Sequence, residues 1–155
     1  MSTEKITPGI LNKFNSCLDQ LIDELNGYQT EEQIWLVTDG ISNSAGNLTT
    51  HLIGNLNHFI GAVLGHSGYV RQRELEFSIK DKPRVELISE IEAIKVFLPK
   101  ILNQLSEEDL FSIYPFEFPK LEFKPSTFDF LMHLLWHLSY HVGQINYHRR
   151  ILATN

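Results

Sequence analysis

Four separate stretches of this chain repeat apolar residues at intervals of three and four, a spacing that only an α-helix gathers onto one face. The first carries Leu11, Phe14, Leu18, Leu21, Ile22 and Leu25, follows Thr7-Pro8 and stops at Gly27. A capping threonine before a proline at the first helical position predicts a helix over about residues 8–26. The second carries Leu48, Leu52, Leu56, Phe59, Ile60 and Val63 and is closed by Gly65 and Gly68, which predicts a helix from about Ser44 to Leu64. The third opens on Pro83 and carries Leu87, Ile91, Ile94, Phe97, Leu98 and Leu102, to about residue 105. Pro99 lies inside it and is expected to kink it or end it early. The fourth begins at Ser126-Thr127-Phe128-Asp129, a capping box, and runs over about residues 127–152.

Helices of this length with one apolar stripe each bury those stripes against one another, so the expected fold is all-α, a four-helix bundle in one domain, 1–155. The connections are long. Residues 28–43 are expected to hold one short helical turn and 66–82 to be loop. Residues 106–125, with Pro115, Pro119 and Pro125, read as an ordered loop with short extended pieces at 116–118 and 121–123. Both up-down-up-down and crossover topologies are open, and there is no internal repeat.

The balance of charge narrows the function classes. Net charge is −6 and the 13 Lys and Arg residues are scattered, which argues against a nucleic-acid partner. No run approaches the roughly 18 apolar residues of a membrane span. The start, Met1-Ser2-Thr3-Glu4-Lys5, lacks the apolar run of a secretory leader. The single cysteine, Cys17, permits no intrachain disulfide, so a reducing, cytoplasmic setting is expected. Cys17 borders the first helix's core stripe and reads as a small buried apolar residue rather than a nucleophile.

The seven histidines fall in two segments, 51–66 and 133–148. On the fourth helix His133, His137, His141 and His148 share one stripe about 80° wide. Leu134, Leu138 and Val142 flank it on one side, Trp136, Tyr140 and Tyr147 on the other, and Ser139, Asn146 and Arg150 lie roughly opposite. The stripe is therefore expected to point inward. Buried imidazoles need partners for their nitrogens, and a divalent metal takes the neutral ring as a ligand. Histidines four apart suit chelation of one ion. A third ligand is expected from the second helix, where His51 and His58 both border the core face. They stand about 10 Å apart, so one ion can take only one of them. Three nitrogens and an open position are the layout of a catalytic metal site. Spacing alone leaves open His133/His137 against His137/His141, and His51 against His58. His66 is expected to be solvated.

The segment His137-Leu138-Ser139-Tyr140-His141-Val142-Gly143-Gln144-Ile145 resembles the His-x-x-x-His-Arg-Gly-Gln-Ile signature of the DinB-like family, which includes the YfiT proteins. Val142 departs from the usual arginine, at a position that is not a ligand. His51-Leu52-Ile53-Gly54-Asn55-Leu56 resembles that family's histidine-bearing second helix. Together with the loop Arg71-Gln72-Arg73-Glu74-Leu75-Glu76-Phe77 it looks like an uncharacterised bacterial branch. The resemblance implies an up-down-up-down-like bundle with a long crossover, often a homodimer, with His51, His137 and His141 as ligands of zinc, nickel or iron. It implies a metal-dependent hydrolase or a thiol-dependent S-transferase acting with a small-molecule thiol or another small substrate.

Other residues enter as supporting candidates. His58 and His133 are expected as partners of the ligands or as pocket lining, and Gln144 as an orienting residue. Arg71 and Arg73 either hold an anionic substrate near the bundle mouth or pair with Glu74 and Glu76. Trp136 and Tyr140 suit packing or a dimer interface. No Asp or Glu lies on the histidine stripe, so a general base is unassigned. The rival readings are a non-catalytic metal-binding or stress-response module and a metal-free helical dimer with a hydrogen-bonded histidine core.

Overall fold

The structure is a computed structural model that describes residues 3–119 and 122–153, with the side chains of residues 3–5 left out. It is all-helical, and among the described residues there is no strand. The elements are α1 (Thr3–Asn26), α2 (Glu31–Trp35), α3 (Ala45–Leu56), α4 (Arg73–Ser78), α5 (Arg84–Leu102), α6 (Glu107–Phe111) and α7 (Thr127–Ala153). Helix α3 continues without a break into a π-helical segment, Asn57–Leu64.

The four predicted stripes become the core. Phe14, Leu18, Leu21 and Leu25 of α1, Leu52 and Leu56 of α3, Leu87, Ile91, Ile94 and Leu98 of α5, and Leu131, Leu134 and Leu138 of α7 are all buried in one cluster. Helix α1 lies against α7 and α5, and α3 lies against the same two. Truncating any one of these leucines to alanine costs about 2–5 kcal/mol. Among the described residues no helix is long and apolar enough to cross a membrane.

Several predicted boundaries move. Helix α1 starts at Thr3, not at residue 8, so Pro8 sits inside it. Its ring removes only a bond to the first turn, which the packed face of the helix outweighs. Helix α5 runs through Pro99 and ends at Leu102, where the Asn103 amide donates to the Pro99 carbonyl. The stretch 66–82 is not all loop, because α4 lies within it and packs on α3. The stretch 106–125 contains α6, whose capping box joins Ser106 and Asp109. The expected extended piece at 116–118 is absent. Among the described residues the one extended pairing is the isolated bridge between Ile113 and Ser126. Of the piece expected at 121–123, Leu121 lies outside the described residues. The capping box at the start of α7 forms as predicted, with the Asp129 amide donating to Ser126 Oγ at 3.1 Å and Ser126 N donating to Asp129 Oδ2 at 3.3 Å.

Candidate metal centre

Helix α3 is buried on every side from Ala45 to Leu56. Ser44 caps it, its Oγ accepting from the Asn47 amide at 3.1 Å. One face packs on α7 and α5, and a second, polar face receives α4. On that second face Asn47 Nδ2 donates to the Glu76 and Ile79 carbonyls at 3.2 and 2.9 Å, and Thr50 Oγ1 donates to the Glu76 carbonyl at 2.6 Å. One turn further, Gly54 has no side chain, and a Cβ there would run into the Glu76 carboxylate. These residues fix α4 so that Glu76 points at the edge of α3 that carries His51.

The histidines meet across the seam between α3 and α7. Nε2 of His137 lies 3.1 Å from Nε2 of His51 and 3.1 Å from Nε2 of His141. One ligand atom from each of the three lies within 4.8 Å of the others. Three nitrogens at about 2.0–2.1 Å from a tetrahedral ion stand about 3.3 Å apart, close to the two 3.1 Å separations on His137.

Tautomers decide what those nitrogens offer. His51 Nδ1 stands 2.9 Å from Glu76 Oε2, which can only accept, and 3.3 Å from Arg71 Nη2, which can only donate. The shorter contact, and the engagement of that guanidinium by the same carboxylate, make His51 Nδ1 the donor. His51 Nε2 then carries a lone pair. On α7 the Gln144 carbonyl oxygen lies 2.6 Å from His141 Nδ1, which likewise donates and leaves the Nε2 lone pair. Both lone pairs face His137 Nε2. A single proton there could serve only one of them, and the His137 Nδ1 is buried with no partner among the described residues. A cation at the centre satisfies all three nitrogens, as metal sites with outer hydrogen bonds to their histidines do.

Burial keeps the His51 and His137 rings neutral and therefore ligating. Burial pushes the His137 imidazole down to about 4, with the nearby histidines and Arg71 adding to the effect. Burial also lowers His51, outweighing the pull of Glu76 in the other direction. Burial alone would raise the Glu76 carboxyl. The hydrogen bonds and charges of Arg71 and His51 overcome that and hold it below its ordinary value. Arg71 grips this carboxylate twice, Nε to Oε1 at 2.7 Å and Nη2 to Oε2 at 2.8 Å. Both carboxylate oxygens are thus engaged.

The remaining sequence candidates separate. Arg71 belongs to the site through Glu76, whereas Arg73 is exposed and stands 5.6 Å over the Phe77 ring. His133 is exposed, its ring 5.7 Å from Phe130 and 6.3 Å from His137. His58 lies on the π-helical segment against Phe59 and Phe116, with a buried Nδ1 that has no partner among the described residues. His66 is exposed. His148 shares the stripe but not the cluster. Its Nδ1 faces the Tyr28 hydroxyl at 2.6 Å and its Nε2 the Leu36 carbonyl at 3.0 Å. The stripe as a whole does not point inward, because Trp136, Tyr140 and Tyr147 on its flank are exposed. The expected pairing of Arg71 with Glu76 forms, but the contact of Glu76 with His51 was not expected from the sequence. The buried series Asn47, Thr50 and Gly54, polar or lacking a side chain at helical spacing, is the signal that a polar element packs there.

Fold and site together define an all-helical protein that gathers three histidines from two helices, two of them oriented by partners of their own. The chain belongs to the family described as a protein of unknown function, DUF1572, which matches residues 9–155. No curated protein and no solved structure matches it.

Proposed function

We propose that this chain is a divalent-metal protein built as a DinB-like four-helix bundle, with His51, His137 and His141 as the ligands of zinc, nickel or iron. The observation that carries the reading is the pair of fixed tautomers, which aim the lone pairs of His51 and His141 at the His137 Nε2. Three protein nitrogens leave room for a substrate atom, the mark of a catalytic rather than a structural site. A metal there supplies Lewis acidity and lowers the pKa of a bound water or thiol. The two reactions in keeping with this are hydrolysis and thiol-dependent S-transfer. Glu76 is held on both oxygens by Arg71 and His51, so it positions a ligand and is not free as a general base. That favours transfer to a thiol, whose proton passes to solvent as its sulfur bonds the electrophilic carbon and the leaving group departs. It also supports the second reading, a non-catalytic metal module.

The deciding experiment is metal content by mass spectrometry, on protein purified without an affinity tag or chelators. About one ion per chain is expected, lost in His137→Ala and in His141→Ala. Wild-type metal content in both variants would sink the proposal. A screen of metal-loaded protein for thiol transfer and amide hydrolysis separates enzyme from module. A homodimer would cover the exposed Trp136 and Tyr140, and sedimentation of the purified chain tests it.

A further inference from the structure

A cavity of about 410 Å³ opens beside the cluster, at the N-terminal end of α3 and one turn beyond His141 on α7. Its walls come from three places: Thr38, Ile41 and Asn43 in the connection before α3, Leu48 on α3, and Gln144 and Tyr147 on α7. Leu48 precedes His51 by three residues and Gln144 follows His141 by three, an axial offset of about 4.5 Å in each helix. The same Gln144 that lines the cavity accepts the His141 Nδ1 proton at 2.6 Å.

The lining is mixed but uncharged. Hydroxyl and amide groups alternate with Ile41, Leu48 and Ile151, no Asp, Glu, Lys or Arg takes part, and the one titratable lining residue besides Tyr147, His148, has both ring nitrogens engaged by Tyr28 and Leu36. A charged group placed there would find no opposite charge to pair with. A neutral group with an apolar body and one or two hydrogen-bonding atoms would be matched throughout, and the volume is within the range of small-molecule sites.

We infer that this cavity binds the uncharged, partly apolar portion of the substrate whose reacting atom lies at the three histidines, with Gln144 shared between the two. The inference rests on the metal reading for its second half only, since binding to the cavity itself requires no metal.

The test titrates the neutral fluorophore N-phenylnaphthylamine into the full chain. Saturable emission enhancement at about one probe per chain is expected, and His137→Ala should leave it unchanged. Ser42→Trp, which fills the cavity from an exposed rim position, should weaken it about tenfold or more while circular dichroism and metal content stay at wild-type values. Anilinonaphthalene sulfonate, the same skeleton with a fixed negative charge, should bind about tenfold more weakly or worse. Absence of saturable binding to wild type, or equal binding by Ser42→Trp, overturns the cavity as a site. Equal affinity for the sulfonate overturns its preference for uncharged groups. In cobalt-loaded protein, saturating probe should shift the visible absorption band through Gln144. A band that does not move on probe binding overturns the link to the histidine site and leaves the metal reading standing.

Discussion

Gly54 leaves open the space that the Glu76 carboxylate fills, so the two residues from α3 and α4 form one close contact. Gly54→Ala therefore sets two effects against each other. The helix interior gains about 1 kcal/mol from alanine, and overpacking costs about 1–3 kcal/mol. Net stability in a urea titration should move by no more than about 2 kcal/mol. Metal affinity, read by chelator competition, should fall about ten- to hundredfold, because the carboxylate must leave His51 Nδ1. Unchanged affinity would show that the Glu76 bond does not orient this ligand.

Glu76→Gln keeps the shape and removes the charge. Arg71 is then left without its counter-ion, in a place where the two side chains are 12% and 6% exposed. Breaking one side of a buried pair costs about 3–5 kcal/mol, so a drop of about that size is expected in denaturant. Arg71→Met with Glu76→Gln should recover part of it. A single-variant loss below about 1 kcal/mol would mean that the pair is solvated in solution.

Gln144 is exposed, and among the described residues its side chain bonds to His141 alone. Gln144→Ala should leave the urea midpoint within about 0.5 kcal/mol of wild type. Metal affinity should fall about tenfold, since His141 loses the acceptor that holds its tautomer. Equal loss of stability and affinity would instead assign Gln144 a structural role.

The metal-free protein should lose stability as the medium is acidified. Burial lowers the imidazoles of His51, His137 and His148 from the ordinary 6.5, His137 to about 4. The unfolded chain takes up these protons near 6.5 while the folded chain still resists them. Stability is therefore full above about pH 7, falls below 6.5 and levels off only once the folded rings protonate, each contributing about 1.4 kcal/mol per pH unit within its window. Tyr28→Phe removes the hydroxyl facing His148 Nδ1 and should cost about 1–3 kcal/mol at neutral pH. A flat profile from pH 7 to pH 4 would refute the buried, neutral histidines.

The helical nature of the chain and the face of each long helix were legible because Leu, Ile and Phe recur at three and four. The Ser126–Asp129 box was legible because capping is local chemistry. The roles within the histidine stripe were not. His133, His137, His141 and His148 share a helix face, but what each turn meets depends on other elements: solvent at His133, α3 at His137 and His141, Tyr28 and Leu36 at His148. The Arg71–Glu76 pair could be expected from neighbouring charges, but the placement of Glu76 against His51 was hidden because α4 has only six residues, too few for a periodic signal, and is held by α3 rather than by its own propensity. The π-helical turn at Asn57–Leu64 likewise has no mark in an apolar pattern that fits an α-helix equally well.

His51 and His137 stand 86 residues apart in the chain and 3.1 Å apart in space. An ion shared by them would act as a removable cross-link closing most of α3 through α7 into one ring. Loops of that length are costly to close from the unfolded state, so the ion would restrain the chain much as a disulfide does, in a protein with one cysteine and no disulfide to form. At a free concentration of about a thousand times Kd this adds about 4 kcal/mol. Metal supply would then set how long the folded chain persists, as well as what it can bind.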